Sequence, residues 1–354
     1  ALALFWLGTA LWNRLSGLLG GSIALTSLGF VAGGRTAATD MPFTCCLTLG
    51  LACLAAAARR DPGPLKILAA YAFLGLAVLG KGPVAVILAA GIGLLYWYLH
   101  DRGDTMRRWR VCRGIPVLLL VGAPWFWLAF RENGYAFVAT FFVNHNLARY
   151  VTEIHHHSQP FYFYIPVLLL LMFPWSGWLP FLITESPLKT LRRWRHWDPG
   201  MLFLTCWFLV PLLFFSMSDS KLAGYILPSL PPASLILGAR IARRIEDGSA
   251  SPVLRISMVL SLALSAVMAL GAPLYFRKDY GGDWETGLLL SPVLFLPALL
   301  AAAFGFRNRC GKAAAATLVH GLLVVVAAVV FAFPALGTYH SARDLAGLAL
   351  KVRL

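Results

Sequence analysis

Four places in the sequence put reactive side chains at the ends of apolar runs, where helices would meet a membrane boundary. Asp40 closes Gly33-Gly34-Arg35-Thr36-Ala37-Ala38-Thr39 and stands just before Met41-Pro42. Lys81, in Leu79-Gly80-Lys81-Gly82-Pro83, is the one charged residue between Ile67 and Leu99. His145 and Arg149 are four residues apart within Tyr135–Tyr150, a spacing that puts them on one helical face, and Arg131 and Glu132 lead into that segment. Lys221 and Tyr225 repeat the four-residue spacing in Ser218-Asp219-Ser220-Lys221-Leu222-Ala223-Gly224-Tyr225. Cations from separate loops suit a phosphate: arginine grips its oxygens in a fork, and lysine acts as a movable point charge. Lys81, Arg149, Lys221 and Tyr225 are therefore the candidate phosphate cage. Asp40 is the candidate catalytic carboxylate, with His145, Arg131 and Glu132 in support. Asp40 and His145 also form a candidate pair of ligands for a divalent metal ion, the one cofactor the residues suggest.

Each of these residues has a plainer reading. Asp40 can cap the helix that follows it, and Lys81 can snorkel from a helix end. Tyr135–Tyr150, with Phe137, Phe141 and Phe142 at helical spacing, can simply anchor an interfacial helix. His155-His156-His157 cannot aim three consecutive side chains at one ion from a helix. Trp125, Trp127, Trp175 and Trp178 can stack on a sugar, but tryptophan is also expected in the interfacial belt of a membrane protein, and the belt is the expectation for most of them.

The elements that must carry these residues are membrane helices. Of the 354 residues, 59% are hydrophobic and 13% charged, about half the ~25% charge of a soluble domain, and the mean hydropathy is +0.73. A water-soluble chain of this length cannot bury so much apolar surface. Apolar runs at 1–12, 15–33, 42–58, 65–80, 83–99, 115–130, 161–182, 200–217, 222–239, 254–275, 287–305 and 313–336 predict an all-α polytopic membrane protein with about 11–12 transmembrane segments. The stretch 65–99 would extend roughly 52 Å as one helix against a hydrocarbon core of about 30 Å, so it is read as two helices broken at Lys81-Gly82-Pro83. When the connections are assigned alternately to two sides, one side collects 20 of the 30 Lys and Arg residues, which makes it cytoplasmic. Asp40, Lys81, Arg131, Arg149 and Lys221 fall on the other side. The net charge of +15 thus reports topology, and no nucleic-acid partner is expected. The six cysteines (Cys45, Cys46, Cys53, Cys112, Cys206 and Cys310) show neither a CxxC pair nor metal-ligand spacing, so no disulfide framework is expected.

Six segments in register carry a family resemblance: Thr39-Asp40-Met41-Pro42; Lys81-Gly82-Pro83; Pro124-Trp125 leading to Arg131-Glu132-Asn133-Gly134; Phe141-Phe142-Val143-Asn144-His145-Asn146-Leu147-Ala148-Arg149-Tyr150; Phe173-Pro174-Trp175; and Ser218–Pro228. Over roughly residues 15–240 the chain resembles the bacterial aminoarabinose-transferase-like and protein-mannosyltransferase-like membrane glycosyltransferases. The resemblance implies a GT-C-type helical bundle with interfacial helices in an outer loop and an active site facing the periplasm of a multi-pass protein of the bacterial inner membrane. It implies transfer of a sugar from a polyprenyl-phosphate donor to lipid A, another glycolipid or a protein, with inversion at the anomeric carbon. The family also carries an acidic residue, usually Asp-Glu, in its first outer loop, and this sequence reads as starting beyond that point. The expected organisation is a transferase domain over residues 1–340, lacking its N-terminal start, and the opening of a periplasmic tail over 341–354. The competing reading is a transporter or flippase of an anionic lipid-linked substrate. Such a protein needs polar groups near the bilayer midplane, whereas the charges here collect at helix ends.

Overall fold

A computed structural model describes residues 1–36, 38–57, 63–100, 102–137, 141, 159–184, 197–248, 252–279 and 284–334. The chain divides into two compact units, one made of residues 1–173 and 179–249, the other of 174–178 and 250–354. The tail expected over 341–354 lies outside the described residues, as do positions 142–158 of the loop expected on the outer side. The expected interfacial helix over Tyr135–Tyr150 is therefore described only at Tyr135–Phe137 and Phe141.

In the first unit the helices are α1 (Leu2–Leu11), α2 (Arg14–Thr26), α3 (Leu28–Arg35), α4 (Asp40–Ala57), α5 (Pro64–Lys81), α6 (Pro83–Leu99), α7 (Arg102–Trp109), α8 (Val111–Phe137), α9 (Tyr164–Leu171), α10 (Pro180–Thr184), α11 (Pro199–Ser216) and α12 (Leu230–Asp247). The second unit contains α13 (Pro252–Asp279), α14 (Trp284–Phe306) and α15 (Cys310–Ala327). Among the described residues, α4, α5, α8, α11, α13, α14 and α15 are long and apolar enough to cross a membrane. Two further runs are bent pairs, and α1 and α6 are shorter apolar helices. This is the expected all-helical polytopic architecture.

Breaks occur where local chemistry demands them. The run 15–33 bends by 54° between α2 and α3, because Ser27 is extended at φ −81°, ψ 134° and its hydroxyl donates to the Ile23 carbonyl at 2.6 Å. The run 65–99 is two helices, as its length required. Gly82 joins them at φ 66°, ψ −141°, a conformation essentially reserved for glycine, and Pro83 then starts α6 at a position where its missing N–H costs nothing. The run 222–239 differs from the sequence reading. Ala223–Ser229 form a 3-10 helix, and α12 begins only at Leu230 and continues into Arg240–Asp247. Every residue from Leu230 to Ala242 is buried, so α12 is a central element of its unit.

Small residues let these helices approach closely. A Cβ on Gly238 of α12 would lie 2.4 Å from the Gly20 nitrogen of α2, so the two backbones touch in the manner of membrane helix pairs packed through small residues. In the second unit, Pro273 lacks the N–H that would bond the Ala269 carbonyl. The Ser291 hydroxyl of α14 donates to that carbonyl instead, at 2.6 Å. All six cysteines are free, in line with the sequence reading.

Candidate active site

The start of α4 and the end of α5 meet. Asp40 begins α4, and Lys81 ends α5. The Lys81 ammonium pairs with the Asp40 Oδ1 atom, and the side chains are 16% and 25% exposed respectively. A carboxylate at the first turn of a helix and a cation at the last turn of another each sit favourably with the helix dipole. Residues 41 positions apart are thus joined by the places where two helices stop and start.

Two aromatic rings flank the ammonium. Lys81 Nζ lies 4.7 Å from the centre of the Tyr225 ring and 5.5 Å from that of Phe43, both within cation–π range. Tyr225 is held in turn against Phe215, with ring centres 5.3 Å apart. Gly224 covers the carboxylate: its Cβ position lies 3.2 Å from Asp40 Cγ. The absence of a side chain at Gly224 is what lets the 3-10 helix lie directly on Asp40.

Lys81, Tyr225 and Phe215 border a cavity of about 280 Å³. Its polar wall is Thr39, Lys81, Ser218, Ser220 and Tyr225, and its apolar wall includes Leu79, Val84, Trp125, Phe141, Phe214 and Phe215. Lys81 is in the lining and is paired with Asp40. A cation in the wall of a largely apolar, aromatic cavity suits an anionic head on a long hydrocarbon.

The structure brings together Asp40, Lys81 and Tyr225 of the residues singled out from sequence. Lys221 is placed differently. It is buried, at 6% exposure, and its ammonium donates to the Ser218 carbonyl at 2.5 Å and the Gln159 carbonyl at 2.8 Å. It does not line the cavity. The four-residue spacing to Tyr225 implied a shared helical face, but the 3-10 helix starts only at Ala223, so Lys221 precedes it. Arg131 and Glu132 are exposed on the last turns of α8 and do not line the cavity. His145 and Arg149 lie outside the described residues, as do His155, His156 and His157. Among the described residues no three His, Cys, Asp or Glu side chains gather as a metal site.

Phe43, Gly224, Thr39 and Phe215 escaped the sequence reading, because an apolar or small residue near a helix end carries no chemical signal by itself. Of the tryptophans, Trp125 does border the cavity. Trp175 and Trp178 depart from the belt expectation: both are fully buried, and Trp178 Nε1 donates to Thr317 Oγ1 at 3.1 Å.

The dolichyl-phosphate-mannose-protein mannosyltransferase family model matches residues 1–127. The undecaprenyl phosphate-alpha-4-amino-4-deoxy-L-arabinose arabinosyl transferase of Pseudomonas paraeruginosa is 34% identical over 283 residues, which is 77% of this chain and 49% of that protein. Its counterpart in Pectobacterium atrosepticum is 31% identical over 319 residues, 87% of this chain and 56% of that protein. The chain spans about half the length of the curated relatives it matches. In fold it is similar to the crystal structure of ArnT from Cupriavidus metallidurans bound to undecaprenyl phosphate, with a TM-score of 0.75 at 19% identity over 98% of this chain and 63% of that one. The apo form of the same protein gives 0.69 over 95% and 61%. Motifs, relatives and helical architecture agree, and the chain is an aminoarabinose-transferase-like membrane protein with the GT-C fold.

Proposed function

We propose that this chain is the membrane-embedded part of a glycosyltransferase that moves a sugar from a polyprenyl phosphate to lipid A. The observation that carries this reading is the convergence of Lys81, Tyr225 and Asp40 beside an aromatic-lined cavity. The relatives are named for an undecaprenyl phosphate-linked aminoarabinose donor, and the crystal structure of a protein of similar fold holds undecaprenyl phosphate. We place the transferase domain over residues 1–340, with 341–354 opening a periplasmic tail, and the site on the periplasmic side of the bacterial inner membrane.

In this reading the acceptor oxygen bonds to the anomeric carbon as the bond from that carbon to the phosphate oxygen breaks, so the electron pair leaves with the polyprenyl phosphate. The product anion has a second pKa of about 6, and it departs readily when its new charge is met by a fixed cation in a poorly hydrated site. Lys81 supplies that charge. Tyr225 offers a hydroxyl to the phosphate and a ring to Lys81, and Arg149 joins as the second cation. Asp40 orients the sugar or the acceptor. A phosphate acceptor needs no strong base, which suits a site whose carboxylate is paired with an ammonium. Glycolipid or protein acceptors follow the same chemistry and are to be scanned beside lipid A.

The test uses the complete protein with polyprenyl-phosphate aminoarabinose and lipid A, and product detection by mass spectrometry. Lys81→Ala and Arg149→Ala are each expected to lower turnover by roughly 10²–10³, the usual cost of removing one group aimed at developing charge, while membrane insertion stays intact. Near-parental turnover in Lys81→Ala rejects the reading. Chelation decides the role of a divalent ion: loss of turnover restored by Mg²⁺ or Mn²⁺ assigns the ion to Asp40 and His145, and unchanged turnover leaves the carboxylate to Lys81.

A further inference from the structure

Lys81 lines the cavity and pairs with the Asp40 carboxylate, whose own side chain is 25% exposed. An anion entering the cavity therefore meets an ammonium that is already paired with a carboxylate. The ammonium is held between the Tyr225 and Phe43 rings, which attract the cation without supplying a counter-charge. Asp40 itself starts α4, with Gly224 packed against its carboxylate.

We propose that the Asp40–Lys81 pair is a donor-operated latch: the phosphate of the lipid-linked sugar draws Lys81 off Asp40 and thereby releases the carboxylate from its ion pair to act on the sugar or the acceptor. The inference rests on the transferase reading and adds an order to it, donor before acceptor. In the empty site the two charges neutralise each other, and Asp40 cannot act on anything that enters alone. Once the phosphate is seated, Lys81 has exchanged one anion for another and the freed carboxylate faces the reacting head.

The latch predicts a competition that is measurable without turnover. Asp40 and the phosphate share one cation, so removing the carboxylate charge must strengthen phosphate binding, and only while Lys81 is present. Asp40→Asn is suited to this, since asparagine matches aspartate in shape and also caps helices. The probe is undecaprenyl phosphate, titrated by native mass spectrometry into the parent chain, Asp40→Asn, Lys81→Met and the double variant, all in nanodiscs. For a pair this accessible we expect Asp40→Asn to bind roughly three- to tenfold more tightly, to lose transfer, and to show no gain over Lys81→Met when the two changes are combined. This double-mutant cycle isolates the shared cation.

An equal gain in both backgrounds overturns the latch, since it means that Asp40 repels the phosphate at a distance without competing for Lys81. No gain in either background overturns it as well, leaving Lys81 as a positioning residue for Asp40. If the parent chain does not bind undecaprenyl phosphate, the donor reading itself fails and the latch goes with it. A parent that binds while Asp40→Asn shows no gain separates the two failures.

Discussion

At Gly224 a single hydrogen separates the 3-10 helix from the Asp40 carboxylate. Adding a Cβ there puts carbon 3.2 Å from Asp40 Cγ and 3.3 Å from Oδ2, which alanine tolerates only if the carboxylate gives way by a few tenths of an ångström. Valine at 224 should push the carboxylate out of line with Lys81 and lower transfer at least about tenfold, because misplacement of a reacting group by about an ångström costs up to 10². Protein yield and thermal stability in detergent should stay near those of the parent, and a variant with parental kcat would remove Asp40 from the reaction. Tyr225 is read by a pair of substitutions. Phenylalanine keeps a ring under Lys81 and should lose only what the hydroxyl contributes. Alanine also removes a cation–π contact worth about 0.5–1 kcal/mol and the support against Phe215. Donor Kd should therefore worsen in the order Tyr, Phe, Ala. The types and places of Asp40 and Lys81 were legible in the sequence because an isolated charge beside an apolar run stands out. Gly224 and Phe43 were not, since their role is to touch a charge that another segment supplies.

Two connecting elements set where these residues point. Gly82 turns the chain at φ 66° between α5 and α6, and its N–H bonds the Val78 carbonyl at 2.6 Å, which ends α5 on Lys81. Gly82→Ala should cost about 1–3 kcal/mol for forcing a Cβ into that backbone region. We expect a lowered melting temperature together with weaker donor binding, because the strain falls on the residue next to the cation. The other connector is Ser218–Leu222. The Lys221 ammonium ties the Ser218 and Gln159 carbonyls together, linking this segment to the one that opens α9. Lys221→Met should destabilise the protein by about 1.5–3 kcal/mol through the loss of charge-assisted hydrogen bonds, with donor Kd nearly unchanged in the folded fraction. A large loss of donor affinity at unchanged melting temperature would instead return Lys221 to the phosphate cage. The sequence suggests that cage role because Lys221 is a cation at the edge of an apolar run, four residues from Tyr225. Spacing reads as a face only inside a helix, and the position where a 3-10 helix starts is set by packing.

For the molecule as a whole, charge distribution and apolar runs carry most of the information. The basic asymmetry predicts sidedness, and single-cysteine chains can check it: Asn133→Cys near the end of α8 and Asp247→Cys at the end of α12, both at exposed polar positions, should react with an impermeant maleimide from opposite sides of the membrane. Labelling of both from one side would overturn the assignment. What the sequence determined unaided is the membrane class, the helical composition, the division of 65–99 into two helices and the set of residues available at helix ends. All of these follow from local composition, helix rise and the backbone preferences of glycine and proline, which need no knowledge of neighbours. Only the tertiary structure decided that Lys81 faces Asp40 and Tyr225, that Lys221 serves backbone carbonyls, and that Trp178 bonds Thr317 inside the second unit. Choice of partner depends on how each helix is rotated and how closely backbones approach, as Gly238 and Gly20 do. Those quantities arise from packing between segments distant in the chain, so no reading of one segment contains them.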